Sequence, residues 1–199
     1  MRAIKKLNLV SVDDYLAGEL ISPVKHEYLA GVVYAMVGAK NVHNRVATNI
    51  TVGLGSRLRG KICLPYNSDT KIRLNMPTHV RFYYPDVSVI CQSNPPDDSY
   101  QEQPVVIFEV LSKATRRLDE GEKKDAYLTI PSLRVYALVE YETAGIVVYR
   151  HTKHGFSREV IEGLDALLSL PEINVELPLG EIYEGVEFIP ESTTDSDTL

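Results

Sequence analysis

Two acidic residues lie in otherwise apolar segments of this sequence, Asp86 within residues 84–90 and Glu109 within residues 105–112. Short apolar runs of this kind are typical of buried strands. Because moving an unpaired carboxylate out of water costs several kcal/mol, each acid must be paired, protonated or bound to a metal ion. Hard carboxylate oxygens hold Mg²⁺ together with a substrate phosphate, so a metal site here would suit phosphodiester hydrolysis.

A lysine is the third group that such chemistry needs, to orient the attacking water or to neutralise developing charge. Asp119, Lys123 and Tyr127 are spaced by four residues in a predicted helix and so share one face. Lys124 points about 100° away, so only one of the two lysines can face the acids. Lys123 is the candidate; the alternative is that it only pairs with Asp119 on an exposed helix.

The elements that must position these residues follow a helix, strands, helix, strand order, which predicts an α/β (α+β) sandwich around a mixed sheet. Ser11 is expected to cap a short helix, and residues 41–58 form the first long helix, with apolar residues every four positions. Strands are predicted at 28–36, 61–66, 70–74, 84–91, 104–111 and 133–139, with one more through residue 149. A second helix is predicted at 115–130.

One domain is expected, since the chain has 199 residues and 44% hydrophobic content. We place it at residues 1–189, with a core at about 10–155, a C-terminal extended arm at 156–189 and a disordered tail at 190–199. The sequence has neither a signal-peptide pattern nor a membrane-length apolar run, so the cytoplasm is the expected location. Cys63 and Cys91, 28 positions apart, are predicted to be buried thiols.

The charge is unevenly distributed. The net charge is −6, yet residues 159–199 contain eleven of the 27 acids and no Lys or Arg, which leaves a net of +5 for residues 1–158. Residues 45–81 are rich in basic side chains and contain one acid, Asp69, which is expected to be an ion-pair or turn partner. This window could face phosphates, or it could be a solvated helix face and a strand edge. Its candidate nucleic-acid contacts are Arg45, Lys71 and Arg73.

Several segments, taken in order, resemble the Uma-type restriction endonucleases of the PD-(D/E)xK nuclease superfamily, over about residues 10–155. These segments are Lys25-His26-Glu27-Tyr28 with Gly31 and Ala35-Met36, His43, Tyr84-Pro85-Asp86-Val87, Glu109-Val110-Leu111-Ser112, the set Thr115, Asp119, Lys123 and Tyr127, and residues 133–139. The resemblance implies a restriction-endonuclease-like fold, a divalent metal ion (Mg²⁺ or Mn²⁺) and DNA as substrate.

Carried over residue by residue, the resemblance places Asp86 and Glu109 at the metal and makes Lys123 the base or charge stabiliser. The superfamily's usual lysine stands two positions after the second acid, where this chain has Leu111. Glu27 could supply the carboxylate that many members take from their first core helix, or it could pair with a neighbouring cation. His43 could touch phosphate, although a structural role in the first helical turn is favoured.

The sequence therefore predicts a metal-dependent endonuclease that hydrolyses DNA with an activated water. A homodimer is expected, because two related sites most simply cut both strands. The alternative is a nucleic-acid-binding or regulatory module of the same fold that has lost turnover, which Leu111 favours.

Overall fold

The structure is a computed structural model that describes residues 9–188. Its helices are α1 (Val12–Glu19), α2 (Asn41–Leu58), α3 (Arg116–Leu118), α4 (Lys124–Tyr127) and α5 (Leu179–Ile182), with a π-helical turn at Asp119–Lys123 and a 3₁₀ turn at Pro171–Ile173. Its strands are β1 (His26–Leu29), β2 (Val32–Ala35), β3 (Leu64–Asn67), β4 (Lys71–Asn75), β5 (Val80–Tyr83), β6 (Val87–Ile90), β7 (Tyr100–Gln101), β8 (Pro104–Val110), β9 (Val135–Val139), β10 (Gly145–Thr152), β11 (Gly155–Glu162), β12 (Leu167–Leu170) and β13 (Val175–Pro178).

Two mixed sheets form the body of the fold. One has five strands in the order β2-β1-β5-β4-β7, and the other has six in the order β11-β10-β9-β8-β6-β3. The only parallel pairs within them are β4 with β7 and β8 with β9 in the described part of the chain. This arrangement of sheets and few helices confirms the predicted α+β sandwich, with two sheets in place of the single one expected.

The six-stranded sheet is the central layer, since both of its faces are covered. On one face, the apolar stripe of α2 (Val46, Ile50, Leu54) packs with alternate residues of β6, β8 and β9. On the other face, side chains of the five-stranded sheet and of α4 fill the space between the layers. Helix α2 has the predicted bounds because its period of about four directs one stripe into this core.

The C-terminal segment, treated above as an arm, folds back over α2. β11 completes the edge of the six-stranded sheet, and β12 and β13 form a separate antiparallel hairpin. Leu168, Leu177 and Ile182 are fully buried in the core that α2 shares. The predicted tail at 190–199 lies outside the described residues.

The first strand prediction, residues 28–36, is a hairpin. β1 and β2 pair antiparallel, and the turn residues Ala30 and Gly31 both have positive φ, 50° and 96°. A two-residue turn with both central residues left-handed suits the twist of a hairpin, and glycine adopts it without steric cost. Ser11 caps α1 as predicted, because its side chain accepts a hydrogen bond from the Asp14 N–H.

The helix predicted at 115–130 is correct in place and wrong in form. It consists of α3, the π-helical turn and α4, which together end before Pro131. The strand predicted at 84–91 is also shorter in the structure. It corresponds to β6, which starts at Val87, and residues 84–86 connect it to β5, which ends at Tyr83. Pro85 lacks an N–H to donate to a sheet, so the chain leaves one sheet and enters the other at this point.

The prediction of two free thiols is wrong. Cys63 and Cys91 form a disulfide, with their Cα atoms 3.9 Å apart. β3 pairs antiparallel with β6, and Leu64 faces Ile90, so the register brings the two flanking cysteines opposite each other. The sequence gives no sign of that proximity, because 28 residues and four strands separate the two cysteines along the chain.

Within residues 9–188, no helix combines the length and the apolar character that crossing a bilayer requires.

Candidate active site

Asp86 and Glu109 meet where the two sheets are joined. β6 and β8 pair antiparallel with Val87 opposite Phe108, which places the residue before β6 beside Glu109. The Asp86 N–H donates to Glu109 Oε2 at 3.3 Å, and the Val110 N–H donates to Asp86 Oδ2 at 2.7 Å. The two predicted acids therefore lie close together, and each carboxylate accepts a backbone hydrogen bond from the segment that carries the other acid.

Lys123 reaches this point from the π-helical turn. Its Nζ lies 2.7 Å from Glu27 Oε1 and 3.7 Å from both Glu109 Oε1 and Asp119 Oδ1. A π-helical turn inserts one extra residue into a helix and is common at functional sites. Lys124 instead lies over the Tyr149 ring, so the structure turns Lys123 toward the acids.

This cluster is short of positive charge. Glu27, Glu109, Asp119 and Lys123 are between 2% and 8% exposed, so one buried ammonium faces three buried carboxyl groups. Glu109 Oε1 and Asp119 Oδ1 accept no hydrogen bond from the described residues. A buried polar group without a partner is costly and usually has a functional reason.

The pKa values reflect that imbalance. Burial raises the pKa of Glu109 well above its ordinary value; Lys123 opposes the rise, and Asp119, Asp86 and Glu27 add to it. Burial also raises the pKa of Asp119, again against the effect of Lys123. For Lys123, burial lowers the pKa, but the charges of Glu109, Glu27 and Asp119 outweigh it and hold the ammonium protonated.

His43 supports Asp86 from the first turn of α2. Its Nε2 lies 3.2 Å from Asp86 Oδ2. Burial lowers the pKa of His43, but the hydrogen bond to Asp86 and the charge of that carboxylate more than compensate, so the pKa is raised. The imidazole thus contacts one of the two candidate acids, and His43 also lines the cavity beside them.

The acids open into a cavity of about 560 Å³ between the start of α2 and the loop before α3. Besides Lys123, three lysines line it, Lys25, Lys40 and Lys113, and the Lys113 side chain is 82% exposed. A ring of cations around buried acids is suited to a polyanion whose phosphate must reach the acids. Lys40 and Lys113 were not singled out from the sequence, since they lie in loops with no motif around them. Lys25 was noted there only as part of the segment Lys25-His26-Glu27-Tyr28.

The structure separates the other candidates from this cavity. Arg45, Lys71 and Arg73 are not among its lining residues. Arg73 donates to the Tyr100 hydroxyl at 3.0 Å, and its Nε lies 3.7 Å from Glu102. Glu27 pairs with Lys123, not with its sequence neighbours, while Asp69 pairs with Lys25 as expected of an ion-pair partner.

A mixed central sheet covered on both faces, with paired acids where the two sheets join, is a restriction-endonuclease-like fold. A "putative nuclease belonging to DUF820" from Anabaena variabilis superimposes with a TM-score of 0.68 at 17% identity, covering 87% of this chain and 97% of that one. The family described as "Uma2: Putative restriction endonuclease" matches residues 12–180, and the chain belongs to that family.

Two proteins of Synechocystis sp. are similar along most of the chain. "Uncharacterized protein slr1290" is 31% identical over 183 residues, which are 90% of this chain and 94% of that protein. "Uncharacterized protein sll1609" is 29% identical over 143 residues, 70% of this chain and 80% of that protein. The resemblance inferred from the motifs is confirmed.

Proposed function

We propose that this protein is a metal-dependent endonuclease that hydrolyses DNA phosphodiester bonds with an activated water and without a covalent intermediate. The observation that carries the proposal is the convergence of Asp86 and Glu109, from neighbouring strands, on a cavity that Lys123 reaches from a helix. Membership of a family described as restriction endonucleases supports the same activity.

The residues fit a magnesium or manganese ion held by two carboxylates. No three His, Cys, Asp or Glu side chains among residues 9–188 are grouped so as to hold an ion by themselves. Mg²⁺ is usually held by one or two carboxylates, with waters and substrate phosphates in the remaining positions. Asp86 and Glu109, with Glu109 Oε1 lacking a hydrogen bond, would hold the ion. A divalent cation there supplies Lewis-acid activation of water and of the phosphate.

The chain's own groups then divide the remaining work. His43 keeps Asp86 Oδ2 oriented, and Glu27 holds the Lys123 ammonium 2.7 Å away so that it cannot swing out of the site. Lys123 stabilises negative charge that develops on the phosphate and orients the attacking water. Lys25, Lys40 and Lys113 bind flanking phosphates at the rim of the cavity.

Lys123 replaces the lysine that related nucleases carry two positions after the second acid. Leu111 occupies that position, is 1% exposed and packs in the apolar core between the sheets. A lysine there would bury its charge among apolar groups, so the cation has to come from another element. The π-helical turn delivers it.

The test is cleavage of supercoiled DNA in Mg²⁺ by the wild type, Asp86→Ala and Glu109→Ala. We expect nicking by the wild type, no activity after addition of EDTA, and loss of activity in both variants. Glu176→Ala is the control, because Glu176 is exposed on β13 and does not line the cavity. Equal activity in all four proteins would defeat the proposal.

The second candidate function is a nucleic-acid-binding module that has lost turnover, and the buried Leu111 favours it. Calorimetry with Mg²⁺ or Mn²⁺ distinguishes the two functions. Metal binding that Asp86→Ala abolishes supports the nuclease, and DNA binding that is indifferent to the metal supports the module.

We also propose a homodimer acting in the cytoplasm, because cutting both strands of a duplex is most simply done by two related sites. Light scattering on the purified protein tests the dimer.

A further inference from the structure

A second cavity, of about 770 Å³, adjoins the candidate active site. Lys25 and Tyr84 line both cavities, so the two share a wall. Tyr84 lies two residues before Asp86, and two residues of extended chain span at most about 7 Å. The nucleotide next to a phosphate held at the acids is therefore within reach of the second cavity.

Lys71 lines this cavity and has no use in the activity proposed above. It is 5% exposed, and within residues 9–188 no hydrogen bond or ion pair engages its ammonium. Its Nζ lies over the Tyr84 ring, 5.6 Å from the centroid. Burial lowers its pKa, and the charge of Glu19 opposes this. The Lys71 side chain is thus largely buried while its ammonium has no acceptor among the described residues, so a ligand in the cavity that offers an acceptor can pair with it.

Glu19, the acid whose charge acts on Lys71, is already engaged elsewhere. Glu19 Oε1 lies 2.7 Å from the His26 ring nitrogen, and Glu19 Oε2 accepts from the His26 N–H at 3.1 Å and from the Tyr84 hydroxyl at 2.9 Å. Glu19 therefore adds negative charge to the cavity wall without pairing directly with Lys71.

The wall combines aromatic rings with polar side chains and has no excess of positive charge. Tyr66, Tyr84 and Tyr100 contribute rings, whereas two lysines stand against three carboxylates, Glu19, Asp69 and Asp98. That balance disfavours a phosphate, because anion sites are built from excess positive charge. A neutral nucleobase suits it, since every base has a face that stacks on aromatic rings and edges that accept hydrogen bonds.

We propose that the second cavity holds the unstacked base of a nucleotide next to the one that is cut, with Lys71 donating to an oxygen or ring nitrogen of that base. This inference rests on the proposed function and narrows its substrate to single-stranded DNA or locally opened duplex. A base inside an intact duplex cannot enter a pocket without leaving its stack.

The experiment is fluorescence anisotropy in EDTA, which measures binding without cleavage. The probes are a single-stranded twelve-residue thymidine oligonucleotide, an oligomer of the same length with abasic sugars throughout, and a blunt duplex. For the wild type, we expect the thymidine strand to bind about 10-fold tighter than the abasic strand, within the range of one stacked base. The duplex should bind more weakly than the thymidine strand.

Lys71→Met should lose this advantage of about 10-fold on the thymidine strand and bind the abasic strand as the wild type does. Lys153→Met removes the same charge from an exposed turn and should leave both affinities unchanged. The melting temperature of Lys71→Met should be no lower than that of the wild type, because burial already disfavours the ammonium. Tyr66→Leu provides a second variant with the same expected pattern, since Tyr66 belongs to another strand of the wall.

Equal wild-type affinity for the thymidine and abasic strands would overturn the inference. So would an equal loss by Lys71→Met on both strands, which would assign Lys71 to a phosphate. The cleavage assay tests the nuclease proposal separately. If the protein binds the thymidine strand in a base-dependent way but does not nick DNA, only the nuclease proposal is wrong. If it nicks DNA but shows no base-dependent binding, only the base-cavity proposal is wrong.

Discussion

Two ion clusters lie on the same short helical segment and differ in how well they are satisfied. Arg116, in α3, donates to both carboxylate oxygens of Glu140 at 2.7 and 2.5 Å and to Glu120 at 3.0 Å. Lys123, two turns later, faces three carboxyl groups. It lies 2.7 Å from Glu27, whereas Glu109 and Asp119, at 3.7 Å, each have an oxygen without a hydrogen bond. The first cluster is complete in itself and the second is not.

Exposure explains why both clusters persist. The Arg116 side chain is 37% exposed and that of Glu140 is 22% exposed, so water screens any charge that the pair leaves unbalanced. The Lys123 side chain is 7% exposed, so water screens the charges of its cluster very little. A satisfied pair indicates a structural role, and an underpaired buried cluster indicates a place where a ligand completes the charge balance.

The sharpest test of this difference is removal of each cation by an apolar side chain of similar length. Lys123→Met should lower the free energy of unfolding by about 3–5 kcal/mol at pH 8, because three carboxyl groups would stay buried without a cation. Urea denaturation followed by circular dichroism measures the loss. An equal loss of unfolding free energy in Arg116→Met would contradict the difference between the two clusters.

Substitution of one acid in each cluster separates their effects on activity. Glu109→Gln should reduce Mg²⁺-dependent nicking at least about 100-fold, since even outer partners of metal sites cost about 10- to 100-fold. Glu140→Gln, in the satisfied cluster, should stay within about twofold of the wild type. Initial rates on supercoiled DNA give both numbers, and similar losses in the two variants would contradict the assignment.

The same Glu109→Gln variant should gain stability while losing activity. In EDTA at pH 8, we expect about 1–2 kcal/mol of stabilisation, because the amide removes a buried charge that one lysine cannot balance. Thermal unfolding monitors the gain. A destabilised variant would mean that Glu109 is needed by the fold as a carboxylate.

The gain should depend on pH in a defined direction. The folded-state pKa of Glu109 is raised above its ordinary value of 4.5, so the stability that its bound proton contributes is full below that value and is lost as the pH rises. Wild-type stability should therefore fall, relative to Glu109→Gln, as the pH rises above 4.5. If the stabilities of the two proteins change in parallel with pH, Glu109 is not the titrating group.

The smallest effect is expected at the satisfied cluster. Arg116→Met should cost about 0.5–1 kcal/mol, and the cost should shrink in 1 M NaCl because the pair is partly exposed. Urea denaturation at low and high salt tests this. A cost that is independent of salt would indicate lost packing of the arginine stem instead of lost charge.

The features that sequence could predict are those with a local physical signal. The bounds of α2 follow from its apolar period, and the meeting of Asp86 with Glu109 follows from two successive apolar strands. Lys123 was found because four-residue spacing places it beside Asp119, and the π-helical turn keeps that proximity.

The features that escaped prediction depend on contacts between distant parts of the chain. Glu27 and Lys123 are almost a hundred residues apart, and no pattern near either one shows that they pair. The facing cysteines depend on the register of β3 and β6, and the division into two sheets depends on which neighbour each strand finds. Strand periodicity shows which face is buried, but it does not identify the neighbouring strand.

The three residues from Tyr84 to Asp86 carry a consequence for engineering this molecule. They are the whole connection between β5 and β6, which belong to different sheets. Side chains alternate along extended backbone, so one added residue would turn Asp86 away from Glu109 even if both sheets kept their shape. Insertions belong in the exposed turn at residues 153–154, whereas the length of this connection must be preserved in any chimera.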